Sequence, residues 1–192
     1  MRIVGGEFKG RALAAPGAAG GGAAHLRPTS DRTRESLFNL LAHGPYGGAP
    51  EGMRVLDLFA GVGALGLEAM SRGAARAVFV DDHGPSRALI RENVERLGLT
   101  GATKIWRRDA TRLGPNRGEG FDLVFLDPPY GKGLVDRALE SAAAGAWLAA
   151  DALIVAERGA DEPAPRRIDP LDERSYGAAR IVIGRLARDG AP

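Results

Sequence analysis

The tetrad Asp127-Pro128-Pro129-Tyr130 concentrates more reactive chemistry than any other four residues of this 192-residue chain. An exocyclic amine on a nucleobase is a poor nucleophile, because its lone pair is delocalised into the ring. A carboxylate and a backbone carbonyl that both accept its protons hold the nitrogen and favour the pyramidal geometry that attack requires. Two successive prolines stiffen such an edge, and Pro129 carries no N–H, so Asp127 and the Pro128 carbonyl become fixed acceptors. Tyr130 offers a ring on which a base drawn out of its helix can stack. Taken alone, the tetrad also reads as a proline turn with a neighbouring tyrosine, so its context decides.

That context is a glycine loop. Gly61-Val62-Gly63-Ala64-Leu65-Gly66 follows a short apolar run and opens a helix. The first glycine permits the turn, the second lets a ligand approach the backbone, and the third allows close helix–strand contact. Asp81 lies twenty residues beyond Gly61 at the end of the next apolar run, where an acid accepts from ribose hydroxyls; Asp82 adjoins it. The pair indicates a nucleoside cofactor without choosing between a nicotinamide dinucleotide and S-adenosylmethionine. Asp57 favours the second, since a carboxylate before the loop repels a pyrophosphate but accepts from the ammonium of a methionine moiety. Asp109 follows the third apolar run, placed to bind an adenine amino group beside the Ala110 amide.

The elements that must position these residues alternate strand and helix. Strands are expected at 55–59, 77–80, 103–106, 121–126 and 152–155, with helices through 65–70, 86–97 and 134–144. Near-continuous apolar runs separated by helices indicate a parallel sheet covered on both faces. Residues 166–168 and 180–183 are strand-like with no helix between them, which suggests an antiparallel closing hairpin. Ahead of this core, residues 2–13 read as a small β-hairpin and 14–24 as a Gly/Ala-rich flexible loop. A helix capped by Ser30 or Asp31 then runs to His43-Gly44-Pro45. Trp106, Trp147, Phe79 and Phe125 lie within apolar runs and are expected in the core.

Composition removes other chemistries. With no cysteine there is no disulfide framework, thiolate metal site or cysteine nucleophile. Methylation at pyrimidine C5, which uses a thiolate, is therefore excluded. His25, His43 and His83 are scattered and no metal is expected. The absence of cysteine and of any export signal points to the cytoplasm. The net charge of +2 is close to neutral, but residues 1–36 hold Arg2, Lys9, Arg11, Arg27, Arg32 and Arg34 against Glu7, Asp31 and Glu35. A local cationic excess of this kind can position a nucleic-acid backbone, or from charge alone be a solvated surface.

The chain resembles the bacterial 16S rRNA guanine(966)-N(2)-methyltransferase family, small-subunit methyltransferase D. The resemblance rests on Arg2-Ile3-Val4-Gly5-Gly6 with Lys9-Gly10-Arg11, on Arg27-Pro28-Thr29-Ser30-Asp31-Arg32 with Arg34-Glu35, on 56–61 continuing through 64–69, and on Asp127 to Tyr130. It implies a Rossmann-like class I S-adenosylmethionine-dependent methyltransferase fold, a seven-stranded mostly parallel sheet with a short N-terminal β extension. On this resemblance residues 1–28 form an rRNA-binding extension and loop, 29–187 the catalytic domain and 188–192 a frayed end. It implies S-adenosylmethionine bound by Asp57, Phe59, Gly61, Gly63, Asp81, Asp82, Asp109 and Ala110. Catalysis falls to the tetrad, and rRNA contact to the six cations named above. The partner implied is 16S rRNA in an assembled or nearly assembled small subunit, met by a monomer away from membranes. Two features depart from the family pattern: the long Gly/Ala-rich stretch at 17–24, and Asp81-Asp82-His83 where a glutamate often begins the ribose segment. The alternative is a DNA adenine-N6 methyltransferase, because the tetrad serves an adenine amine equally well.

Overall fold

A computed structural model describes residues 1–15 and 30–187. The expectations for the loop at 17–24, for Arg27 and for the end at 188–192 therefore lie outside the described residues. Strands β1 (Arg54–Leu58), β2 (Arg76–Val80), β3 (Thr103–Trp106), β4 (Phe121–Leu126), β5 (Leu148–Gly159), β6 (Ile168–Tyr176) and β7 (Ala179–Leu186) form one sheet. Its order is β3-β2-β1-β4-β5-β7-β6. The first five neighbours pair in parallel, and β7 and β6 close the sheet antiparallel. The reversal of strand order at β1 and β4 opens a crevice at their carboxyl ends, where α/β sheets bind ligands.

Helices α1 (Asp31–His43), α2 (Ala64–Ser71) and α3 (Gly84–Arg96) cover one face, and α4 (Leu134–Ala144) the other. Val55 of β1 and Phe125 of β4 enter the core beneath α1–α3, while Leu56, Leu58 and Val124 enter the core beneath α4. That two-sided burial explains why these strands read as continuous apolar runs. Phe79, Phe125 and Trp147 are fully buried, and Trp106 meets Trp147 edge-on with ring centroids 5.0 Å apart. Ser30 caps α1 by accepting from the Thr33 amide at 3.1 Å.

Two elements differ from expectation. β5 begins at Leu148 rather than near residue 152, because an irregularity lets Leu148 pair with Phe121 before the regular register starts at Leu123–Leu153. β6 runs to Tyr176 although Asp169, Pro170, Glu173 and Arg174 give it no apolar pattern. It is an edge strand, recruited by its ladder with β7 rather than by burial.

The N-terminal segment is a hairpin-like turn with a single bridge, Arg2–Ala12, rather than two strands. The Ile3 amide donates to the Arg11 carbonyl and the Gly10 amide to the Ile3 carbonyl, each at 2.9 Å. This turn is stitched to α2. The Glu7 amide donates to the Ser71 carbonyl at 2.7 Å, and the Ser71 hydroxyl donates to the Gly5 carbonyl at 2.6 Å. Gly6 has φ of 74° and approaches so closely that a Cβ would lie 1.8 Å from the Ser71 carbonyl oxygen. Only glycine fits there. Among the described residues no helix is long and apolar enough to cross a membrane.

Candidate active site at the carboxyl edge of the sheet

β1 delivers Asp57 to the crevice with only 2% of its surface exposed. Its Oδ2 accepts from the Gly66 amide at 2.9 Å, which ties the strand end to the first turn of α2. A Cβ on Gly66 would lie 2.4 Å from the Phe79 ring and 3.0 Å from Asp57 Oδ2. The third glycine of the motif thus serves close packing, as its spacing implies. Between strand and helix the backbone turns through positive φ at Phe59 (60°), Gly61 (58°) and Gly63 (81°). At the non-glycine Phe59 this is a strained conformation of the kind that clusters at functional sites.

Asp81, at the end of β2, accepts from the Gly61 amide and the His83 amide, both at 2.8 Å. Asp81 and the glycine loop therefore hold one another. Asp82 is exposed and acts on Asp81 only by charge. Asp109 accepts from the Thr111 amide at 2.8 Å and the Thr111 hydroxyl at 2.7 Å, capping the short turn Ala110–Arg112 in which Ala110 is buried.

Burial pushes Asp57 up to about 8, against the Gly66 hydrogen bond and helped by the negative charge of Asp81. Burial also raises Asp81, with the His83 and Gly61 amides opposing. Asp109 is lowered, chiefly by the Thr111 hydroxyl. Asp57, Asp81 and Asp109 give this edge an acidic lining, in which the charge of Asp81 raises Asp57. That lining suits a ligand carrying a sulfonium and an ammonium and opposes a pyrophosphate. The residues present thus fit S-adenosylmethionine.

One strand over, Asp127 continues β4, half-buried, with Pro128 buried and Pro129 exposed. Burial raises Asp127 well above the ordinary carboxylate range, and the charges of Glu157 and Asp57 add to it. The Tyr130 hydroxyl donates to Glu157 Oε1 on β5. A second acid, Glu162, accepts from the Gly131 amide and, at 2.7 Å, from the Gly159 amide, strapping the loop after the tetrad to the end of β5. Sequence reasoning missed Glu157 and Glu162. The signal for Glu157 was the abrupt charge that ends Leu153-Ile154-Val155-Ala156.

The cationic extension divides. Arg2, Lys9, Arg11 and Arg32 are exposed, and Arg2 lies 3.5 Å from Asp31. Arg34 corrects the expectation of RNA contact, because it is completely buried. It donates to the Arg2 carbonyl and, at 2.9 Å, to Asp31, and its Nε lies 3.6 Å from Glu68. Buried Glu68 also accepts from the Val4 amide and from Arg72, each at 2.8 Å. Arg34 occupies the same helical face as Leu37, Phe38 and Leu41, so it faces the core. Asn93, also buried, accepts from the Ala14 amide at 2.6 Å and donates to the Val62 carbonyl at 3.1 Å, linking the extension to the glycine loop.

This sheet order, glycine loop and acidic carboxyl edge define a class I S-adenosylmethionine-dependent methyltransferase fold. The solved structure of Escherichia coli yhhF is similar, with a TM-score of 0.80 and 33% identity over 98% of this chain and 99% of that one. The chain belongs to the family described as Conserved hypothetical protein 95, which matches residues 1–185, and it groups with the small-subunit methyltransferase D proteins. Ribosomal RNA small subunit methyltransferase D of Escherichia coli is 38% identical over 166 residues, covering 86% of this chain and 78% of that protein. The Haemophilus influenzae protein of the same name is 35% identical over 191 residues, covering 97% and 92%.

Proposed function

We propose that this chain transfers a methyl group from S-adenosylmethionine to the exocyclic N2 amine of a guanine in 16S rRNA, acting as a monomer on an assembled or nearly assembled small ribosomal subunit. The observation that carries the reading is the placement of Asp127 directly beyond the β1–β4 register Asp57–Phe125 and Leu58–Leu126. The amine acceptor then stands one strand from Asp57 and two from Asp81, at the same edge.

When bound, the cofactor supplies a methyl on a positively charged sulfur, with a neutral thioether as leaving group. Asp57 and Asp81 orient it, fixed by the Gly66, Gly61 and His83 amides. Asp127 accepts one N2 proton and the Pro128 carbonyl the other, which aims the nitrogen lone pair at the methyl. Methylation would make the amine acidic, and Asp127 would take the proton it releases. Asp127 need not begin as a strong base, since the proton leaves late. Tyr130 stacks on the extruded base, with its hydroxyl held by Glu157. Arg2, Lys9, Arg11 and Arg32 place the RNA backbone from the exposed side of the extension.

Ribosomal RNA stands in the names of the relatives above, which favours this reading over methylation of adenine N6 in DNA. Transfer of labelled methyl to small subunits, naked 16S rRNA and duplex DNA tests the choice. Small subunits are expected to accept the label and duplex DNA is not; label in DNA alone would reverse the assignment.

A further inference from the structure

β4 and β5 run parallel with Phe125 beside Val155 and Leu126 beside Ala156. The next step along both strands sets Asp127 beside Glu157, about one strand spacing of 4.8 Å away. In-register neighbours project to the same face. Phe125 and Val155 both enter the core beneath α1–α3, and Leu126 and Ala156 both enter the core beneath α4. The alternation therefore turns both carboxylates toward the α1 side of the edge. There Glu157 lines a small cavity whose other walls, Leu37, Leu65, Leu126, Val155 and Ile181, are apolar.

A carboxylate with apolar neighbours and a second acid beside it favours a ligand that arrives with adjacent hydrogen-bond donors. Guanine presents N1–H next to its N2 amine. Adenine presents the N1 lone pair next to its N6 amine, which a carboxylate repels. The Tyr130 hydroxyl donates to Glu157 Oε1 and so orients the carboxylate.

We propose that Glu157 selects guanine over adenine, accepting the guanine N1 proton while Asp127 accepts from N2. This rests on the guanine methylation proposed above and extends it to the choice of base.

The test uses small subunits carrying either guanine or 2-aminopurine at the target position. 2-Aminopurine keeps the N2 amine, exchanges N1–H for a lone pair and lacks O6, so the change of ratio in the variant isolates the N1 contact. Wild-type enzyme should transfer to 2-aminopurine at least about 100-fold more slowly than to guanine in single turnover, the penalty of an unpaired polar group. Glu157→Gln keeps the size and an acceptor for Tyr130, and its amide can donate to a lone pair. It should slow transfer to guanine and shrink the difference between bases to less than about tenfold. A purely structural loss would slow both substrates alike. An unchanged ratio in Glu157→Gln, at retained affinity for S-adenosylhomocysteine, would overturn the inference. Equal wild-type rates on both bases would overturn it without any variant, whereas a wild-type penalty supports it only when Glu157→Gln shrinks it. Transfer by wild type to neither base would instead strike the proposed function itself, and this inference with it.

Discussion

At the β1–β2 side of the edge, Asp57 and Asp81 are held by backbone amides of Gly66, Gly61 and His83. At the β4–β5 side, Glu157 is held by a side chain, the Tyr130 hydroxyl, and the loop after the tetrad is held by Glu162. Backbone amides fixed by a turn and a helix start give a rigid cradle that is complete before any ligand arrives. Side-chain and loop contacts can rearrange around a base that enters with its RNA. The two halves share one electrostatic field, since the charge of Asp57 contributes to the raised Asp127. The proposed function makes them separable, with one half assigned to the cofactor and the other to the amine.

Asp127→Asn tests that separation most severely. The variant keeps the size but replaces a carboxylate acceptor with an amide that can turn a donor toward the amine. Single-turnover methyl transfer should fall roughly 10²–10⁴-fold, while calorimetric affinity for S-adenosylhomocysteine changes by less than about threefold. Loss of cofactor binding with the rate would merge the two halves into one.

Arg34→Ala carries the comparison to the extension. It strips Glu68 of a neighbouring buried cation, and unfolding should become easier by about 3–5 kcal/mol. Arg32→Ala, two residues earlier and exposed, should stay within about 0.5 kcal/mol. Denaturant melts of both variants check this; equal stability would remove Arg34 from the structural role assigned to it.

The third prediction is a pH dependence confined to the cofactor half. Because Asp57 is raised from 3.8 to about 8, the native chain holds this proton more tightly than the unfolded chain. Its contribution to stability is greatest in acid and is lost as pH rises through the interval between those values. A cationic ligand requires the ionised form, so cofactor affinity should climb with pH, by up to about tenfold per unit, below about 8. Asp57→Asn should flatten the profile. A wild-type profile already flat from pH 6 to 9 would detach Asp57 from the cofactor.

The smallest effect belongs to the exposed cations. Replacing Arg2, Lys9, Arg11 and Arg32 together by alanine should weaken RNA binding and reduce the salt slope by about 0.7–0.9 for each phosphate no longer neutralised. Cofactor affinity should be untouched. An unchanged salt titration would move the RNA path off the extension.

The cofactor half was legible in the sequence because its residues are local. Asp57, the three glycines and Asp81 lie within two strand–helix units, and their hydrogen bonds span at most twenty residues. The base half was legible only in part. Asp127 to Tyr130 announce themselves as a motif, but Glu157 reaches Tyr130 from 27 residues away, through strand register alone. β6 escaped because an edge strand needs no apolar alternation. Arg32 and Arg34 looked alike as charges. Their separation by about 200° around α1 sends one to solvent and the other to Glu68, and only the helix phase set by Leu37, Phe38 and Leu41 distinguishes them.

The most direct test of the central claim is the identity of the methylated nucleoside. Small subunits lacking the modification would be incubated with wild-type enzyme and labelled S-adenosylmethionine. Their rRNA would then be digested to nucleosides and the label mapped to its position. The account predicts N2-methylguanine at one position of 16S rRNA, abolished when that guanine is changed to adenine. Label recovered as N6-methyladenine, or spread over many guanines, would contradict it.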